Sequence, residues 1–192
     1  MEIHGYTLGS AALARSPVTL AEFEQMKQSA LFGDDDVRAL RLSEPVVRPN
    51  VEAILDVWYG FIGGTPHLVS TFANARGPSA PYLGAVRKRF GQWILDTARA
   101  DYDQRWLDYQ HEIGLRHHRI KKNVTDGADA AAIVPFRHLF PVIAPVVQTL
   151  RPFLAQGGHG EEEVGKMHTA WLKSCLLQLT LWSQPYILEG DF

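Results

Sequence analysis

The stretch YDQRWLDYQHEIGLRHHR, Tyr102 to Arg119, decides how the chain is read. On an α-helix successive side chains turn by about 100°, so residues three and four apart share a face. His117 then shares a face with Tyr102, Trp106, Tyr109 and Ile113. His118 falls on the neighbouring face with Leu107, His111, Gly114 and Leu115. One buried site cannot easily use both histidines, and the periodicity favours His117 as the inward one without deciding it.

Helix signals surround this segment on both sides. Thr19 and Glu22 have capping-box spacing ahead of LAEFEQMKQSALF, Gly33 is read as its stop, and Asp34, Asp35 and Asp36 suit the start of the next helix. Helical patterns are predicted from Pro49 to Ile62, briefly near His67 to Phe72, from Tyr82 to Thr97, from Pro135 to Leu154, and from Glu161 to Trp182. In the first of these, Val51, Ile54, Trp58 and Phe61 form an apolar stripe with Leu55, Tyr59 and Ile62 beside it. Leu83, Val86, Phe90, Trp93 and Ile94 form the inward stripe of the Tyr82 helix. Pro141 and Pro145 predict a bend in the Pro135 helix. WLKSCLLQLTLW, Trp171 to Trp182, is apolar nearly all round, as in a helix that is central or meets another subunit. No segment combines strict alternation with hairpin turns, so the expectation is one all-α domain of seven or eight helices over residues 1–192.

Composition narrows the function classes. With 21 acidic against 19 basic residues and 46% hydrophobic content, nothing drives the chain toward nucleic acid or disorder. Arg116, Arg119, Lys121 and Lys122 do gather locally, in the manner of a solvated helix C-terminus. A single cysteine, Cys175, excludes a disulfide framework and a cysteine-based zinc site. The N-terminus MEIHGYTLGS does not look like a secretory signal, and the apolar run Leu139 to Val147 is too short to span a bilayer. The expectation is a cytoplasmic protein with no membrane or nucleic-acid partner.

For His117 itself the residues leave three readings. A lone histidine on an aromatic face is ordinarily a core residue with a satisfied hydrogen bond. Zinc is disfavoured, because HEIGLRHH places His111 and His117 six apart on different sides, with no carboxylate to complete the set. Haem requires only one neutral imidazole and an apolar slot for a flat ring, with which an aromatic-rich helical domain is compatible.

Longer runs are more specific. GYTLG at Gly5 to Gly9, ILDVWYGFIG at Ile54 to Gly63 and YLGAVRKRFGQWILDT at Tyr82 to Thr97 are joined by WLDYQHEIGLRHHRIKKNVTDG at Trp106 to Gly127, RPFLA at Arg151 to Ala155, and the WSQPY and GDF ending. Through these the chain resembles the protoglobins, single-domain relatives of the globin domains of globin-coupled sensors, over essentially its whole length. The resemblance implies a globin-like fold with an additional N-terminal helix and extension, and haem b (iron protoporphyrin IX) held by His117 as the proximal iron ligand. It implies a distal wall of Trp58, Tyr59 and Phe90, with Ile113, Val142 and Val146 also at the cofactor. Val142 is a departure, since many relatives carry a bulky aromatic there, and Pro141 is an extra proline. The resemblance further implies a homodimer through the last two long helices, and narrow tunnels closed off by the N-terminal extension.

The expected function is reversible binding of O₂, CO or NO at a five-coordinate haem iron, as a carrier, scavenger or sensor. Tyr59 is the expected hydrogen-bond donor to bound O₂, since a phenol with pKa about 10 stays protonated. The alternatives are a haem-dependent redox enzyme acting on NO, peroxide or carbene donors, and a cofactor-free helical module. Arg116, Arg119 and Lys121 are candidate propionate partners by proximity to His117. With no signalling domain before Phe192, a complete sensor in one chain is not expected.

Overall fold

Thr19 opens the first helix with a complete capping box. Its hydroxyl accepts from the Glu22 N–H at 3.2 Å, and the Glu22 carboxylate accepts from the Thr19 N–H at 2.7 Å. Such a cap contributes about 1 kcal/mol. The computed structural model describes residues 2–188 and 190–192. In it α1 (Leu20–Ser29) is capped by Ala30 and followed by Leu31, whose backbone is left-handed. Gly33 is therefore not the stop of α1 but the N-cap of α2 (Asp34–Val47), where the Asp36 carboxylate accepts from its N–H at 2.9 Å.

A single 3₁₀ turn, Arg48–Asn50, joins α2 to α3 (Val51–Gly63). The α3 burial pattern is rotated from the expected stripe. Ile54, Leu55 and Ile62 are buried, whereas Phe61 is 40% exposed and its ring lies 5.5 Å from that of Trp58. One turn of helix, α4 (Pro66–Val69), and a two-residue antiparallel pairing of Ala73–Asn74 with Gly77–Pro78 follow. This small β-bridge, not expected from the sequence, closes around Gly77, whose φ of +104° favours glycine.

Three helices then build the centre. In α5 (Ala80–Arg99) the Ser79 hydroxyl caps the Tyr82 N–H, and in α6 (Gln104–His117) the Asp103 carboxylate caps the Trp106 N–H at 2.9 Å. The third, α8 (Glu161–Ser183), runs through the core, packing against α2, α5, α6 and α7. Trp171 on α8 is fully buried and donates its indole N–H to the Ser43 hydroxyl at 2.9 Å. At the α6–α8 crossing a Cβ on Gly114 would lie 3.0 Å from the Trp182 backbone, so any larger residue would have to push the two helices apart by a few tenths of an ångström.

The Pro135 to Leu154 helix is not bent but broken. Phe136–His138 makes a 3₁₀ turn and α7 (Ile143–Ala155) begins only past Pro141. Pro141 disfavours helical geometry at Phe140 and offers no N–H to the preceding turn. Pro145 sits in the first turn of α7, where a missing N–H is tolerated. Among the described residues there are seven helices of ten residues or more and almost no strand. The architecture is all-α, and no helix of the described residues is long and apolar enough to cross a membrane.

Candidate functional site

The helix end at His117 separates the two histidines. His117 is the last residue of α6, and His118 is its C-cap with extended backbone. The chain turns back there, the Lys122 N–H donating to the His118 carbonyl at 2.9 Å and the Val134 N–H to the His117 carbonyl at 2.9 Å. His117 lines a cavity of about 250 Å³ enclosed by α3, α5, α6, α7 and α8. His118 instead packs edge-on against Tyr186, and His111 is also absent from the cavity wall.

The imidazole of His117 is held from two sides. Its Nδ1 is 2.8 Å from the Ile113 carbonyl, which can only accept, so Nδ1 carries the proton and donates it. The Trp182 indole stacks on the ring, centroids 5.2 Å apart and planes 13° apart. Trp182 is fixed in turn by its N–H donated to the Gln110 side-chain oxygen at 2.7 Å. Burial holds the His117 pKa below the ordinary histidine value, against a smaller upward push from the Ile113 hydrogen bond. The ring is therefore neutral, and Nε2 keeps a lone pair with no protein partner among the described residues.

Across the cavity lie Trp58, Tyr59 and Ile62 from α3 with Phe90 from α5, while Val142, Ile143 and Val146 form a third side. The seven residues singled out from the sequence (His117, Trp58, Tyr59, Phe90, Ile113, Val142 and Val146) thus all line this cavity, on different sides of it. Trp58, Phe90 and Trp93 form a chain of ring contacts, 5.8 Å and 5.3 Å between centroids. The Tyr59 hydroxyl has no hydrogen-bond partner among the described residues. Desolvation pushes its pKa well above the usual phenol value, and the Arg87 guanidinium lies 5.5 Å from its ring centroid.

One end of the cavity is cationic, and here the structure corrects the sequence. Arg119 is exposed and does not reach the cavity. Arg116 and Lys121 reach it, but both pair with the buried Glu112 carboxylate, at 2.9 and 2.6 Å. Arg89 and Lys122 join them, with Arg89 paired to Asp126 through contacts of 3.0 and 2.6 Å. Lys122, read from sequence as solvated, is 6% exposed. Its ammonium donates to the Thr71 carbonyl, the Tyr82 hydroxyl and the Asn123 side-chain oxygen at 3.0, 2.9 and 3.1 Å. All three acceptors are neutral, and desolvation brings the lysine pKa down to about 8. Periodicity could not find Lys122, because it lies beyond the helix end; Trp182 lies 65 residues from His117 in a different helix.

The N-terminal extension covers this end. Arg89 donates to the His4 carbonyl at 3.0 Å, Arg116 to the Gly5 carbonyl and the Thr7 hydroxyl, and Tyr6 to the Asp96 carboxylate at 2.8 Å. Gly5 has φ +71°, and a Cβ there would lie 2.5 Å from the Thr125 methyl, so the strap requires glycine.

A helical fold around one apolar cavity, with a single neutral imidazole on its wall, defines a protein of the globin class. The chain belongs to the protoglobin family, whose model matches residues 19–192, and membership implies haem binding. Among solved structures it is similar to the globin domain of a Geobacter sulfurreducens globin-coupled sensor. That match has 18% sequence identity and a TM-score of 0.64, covering 86% of this chain and 97% of the other. The likeness establishes the all-α globin fold. No curated protein matches the chain.

Proposed function

We propose that the chain is a single-domain globin that holds haem b in this cavity through His117 and reversibly binds O₂, CO or NO. The observation that carries the reading is the His117 imidazole, neutral, tethered through Nδ1 and left with a free Nε2 lone pair at an apolar wall. Haem b, held there by His117, would supply an iron that binds a diatomic gas reversibly.

The chain's own residues fit that cofactor. Ile113 and Trp182 fix the tautomer and the plane of the proximal ring. Four cations face two carboxylates at the polar end, and among the described residues Lys122 pairs with no carboxylate. A porphyrin propionate in its reach would supply the missing anion. Arg89 and Tyr82 stand beside it, and the N-terminal strap excludes water from this end.

On the other side Tyr59 keeps its proton and offers a donor to the partial negative charge of bound O₂. Trp58 and Phe90 narrow the approach. A protonated phenol is a poor base, which favours gas binding over peroxide cleavage. One hydrophobic cluster runs from Val18 to Leu181, which supports reading the chain as one domain. The leucines exposed on α8 support a homodimer through α7 and α8.

An absorption spectrum of the purified protein tests the reading. The expected result is a Soret band that sharpens and shifts with dithionite and CO, and an O₂ complex that reforms over many cycles. A folded protein that takes up no haem from an equimolar solution would overturn it.

A further inference from the structure

Away from the cavity, His67 on α4 and His138 in the 3₁₀ turn before α7 bring their imidazoles together, with ring centroids 4.9 Å apart and planes 39° apart. They are the one pair of imidazoles in contact among the described residues. Neither lies on the cavity wall, and no ring nitrogen of either makes a hydrogen bond to a described residue. His67 is exposed and His138 half-buried, so the pair opens to solvent.

We propose that His67 and His138 form a solvent-accessible site for a divalent transition-metal ion of the Cu²⁺ or Zn²⁺ class. The spacing carries the proposal. A metal about 2.0–2.1 Å from a ring nitrogen sits about 3.2 Å from the ring centroid. Two imidazoles on a tetrahedral ion then have centroids about 5.2 Å apart, and two on adjacent corners of a square-planar ion about 4.5 Å. The observed separation falls between these values.

The protonation state suits ligation. Partial burial, Arg137 and the neighbouring His67 together depress the His138 pKa, which keeps its lone pair available near neutral pH. No cluster of three or more His, Cys, Asp or Glu exists among the described residues, so water completes the coordination shell. Such an open site binds more weakly than a four-ligand structural zinc site and prefers Cu²⁺ to Zn²⁺. An ion held here ties α4, which follows the helix of Trp58 and Tyr59, to the segment that leads into Val142. It thereby braces two sides of the cavity from outside.

The test uses the full purified chain with Cu²⁺, and Zn²⁺ as competitor. Calorimetry gives affinity and stoichiometry, and electron paramagnetic resonance counts the nitrogens bound to copper. The expected result is one Cu²⁺ with two-nitrogen hyperfine structure, displaced by excess Zn²⁺. His67→Ala and His138→Ala should each weaken binding about tenfold or more and reduce the nitrogen count. Copper binding whose affinity and nitrogen count are the same in both variants as in the parent chain would overturn the proposal. The Soret band reports the haem reading separately, so failure of one reading is distinguishable from failure of the other.

Discussion

The His117 imidazole and the Trp182 indole lie nearly parallel, 13° apart at a centroid separation of 5.2 Å, while the Trp182 N–H is donated to Gln110. The His117 ring is thus oriented by a residue on α8 and, through it, by a buried amide on its own helix.

Trp182→Leu removes the stacking face and leaves the buried Gln110 oxygen without its donor. Partners of this kind are worth roughly 10- to 100-fold in metal affinity. Haem transfer to an excess of acceptor apoglobin should therefore be at least about tenfold faster in the variant. An unchanged rate would mean that the Ile113 carbonyl orients the ring alone.

His117→Ala should lose most bound haem, and His118→Ala should retain it. His118 stands at the C-cap against Tyr186, away from the cavity wall. The Soret absorbance per protein, with circular dichroism to confirm helicity, separates the two. Haem loss confined to His118→Ala would show that the neighbouring residue is the ligand.

The sequence made the helices legible wherever side-chain period and caps agreed. The Thr19 capping box and the inward face of Tyr102 to His117 are both local patterns. Reading stopped where helices stop. The helical wheel favours His117 over His118 and the resemblance to protoglobins assigns it; in the structure α6 ends between the two, so the wheel no longer applies to His118. In sequence the basic run reads as a solvated helix end, because nothing local reveals that the turn after His118 carries Lys122 inward. Trp182 and Lys122 reach the site through contacts distant in sequence, and no period encodes such contacts. Pro141 was visible, but whether a proline bends or ends a helix depends on what packs beyond it.

Lys122 makes stability depend on pH in a defined direction. Its folded pKa of about 8 lies below the ordinary lysine value of 10.5, so between these pH values the unfolded chain binds more protons. The burial penalty is fully present below about pH 8 and is relieved as pH rises toward 10.5. Buried Cys175, with its thiol pushed up to about 12, bends the profile the other way above about pH 9. Comparison with Lys122→Met cancels that contribution. In haem-free protein the melting temperature of the parent relative to the variant should rise by a few degrees from pH 8 to 9.5. Haem should flatten this difference by giving the ammonium a carboxylate partner. A parallel pair of haem-free profiles would mean that Lys122 titrates as an ordinary lysine.

Tyr59→Phe deletes the hydroxyl of a half-buried tyrosine on the cavity wall, a hydroxyl with no hydrogen-bond partner among the described residues. If that hydroxyl donates to bound O₂, its loss costs about 1–1.5 kcal/mol, or roughly a tenfold faster O₂ release. CO, which carries less charge, should be affected far less. Stopped-flow displacement of O₂ by CO measures the off-rate, and an unchanged value would remove Tyr59 from the donor role.

Leu172 and Leu176 lie one turn apart on α8 and are 37% and 40% exposed. Covering an apolar side chain of this size contributes at most about 1.5–3 kcal/mol, and a twofold axis uses each contact twice. A glutamate pair at these positions would face its own symmetry copy with four carboxylates in one patch. Leu172→Glu with Leu176→Glu should therefore be monomeric by light scattering while keeping the haem spectrum, because neither residue lines the cavity. If the double variant remains dimeric, the contact lies on another face, and these leucines are simply the wet side of a helix that is otherwise enclosed.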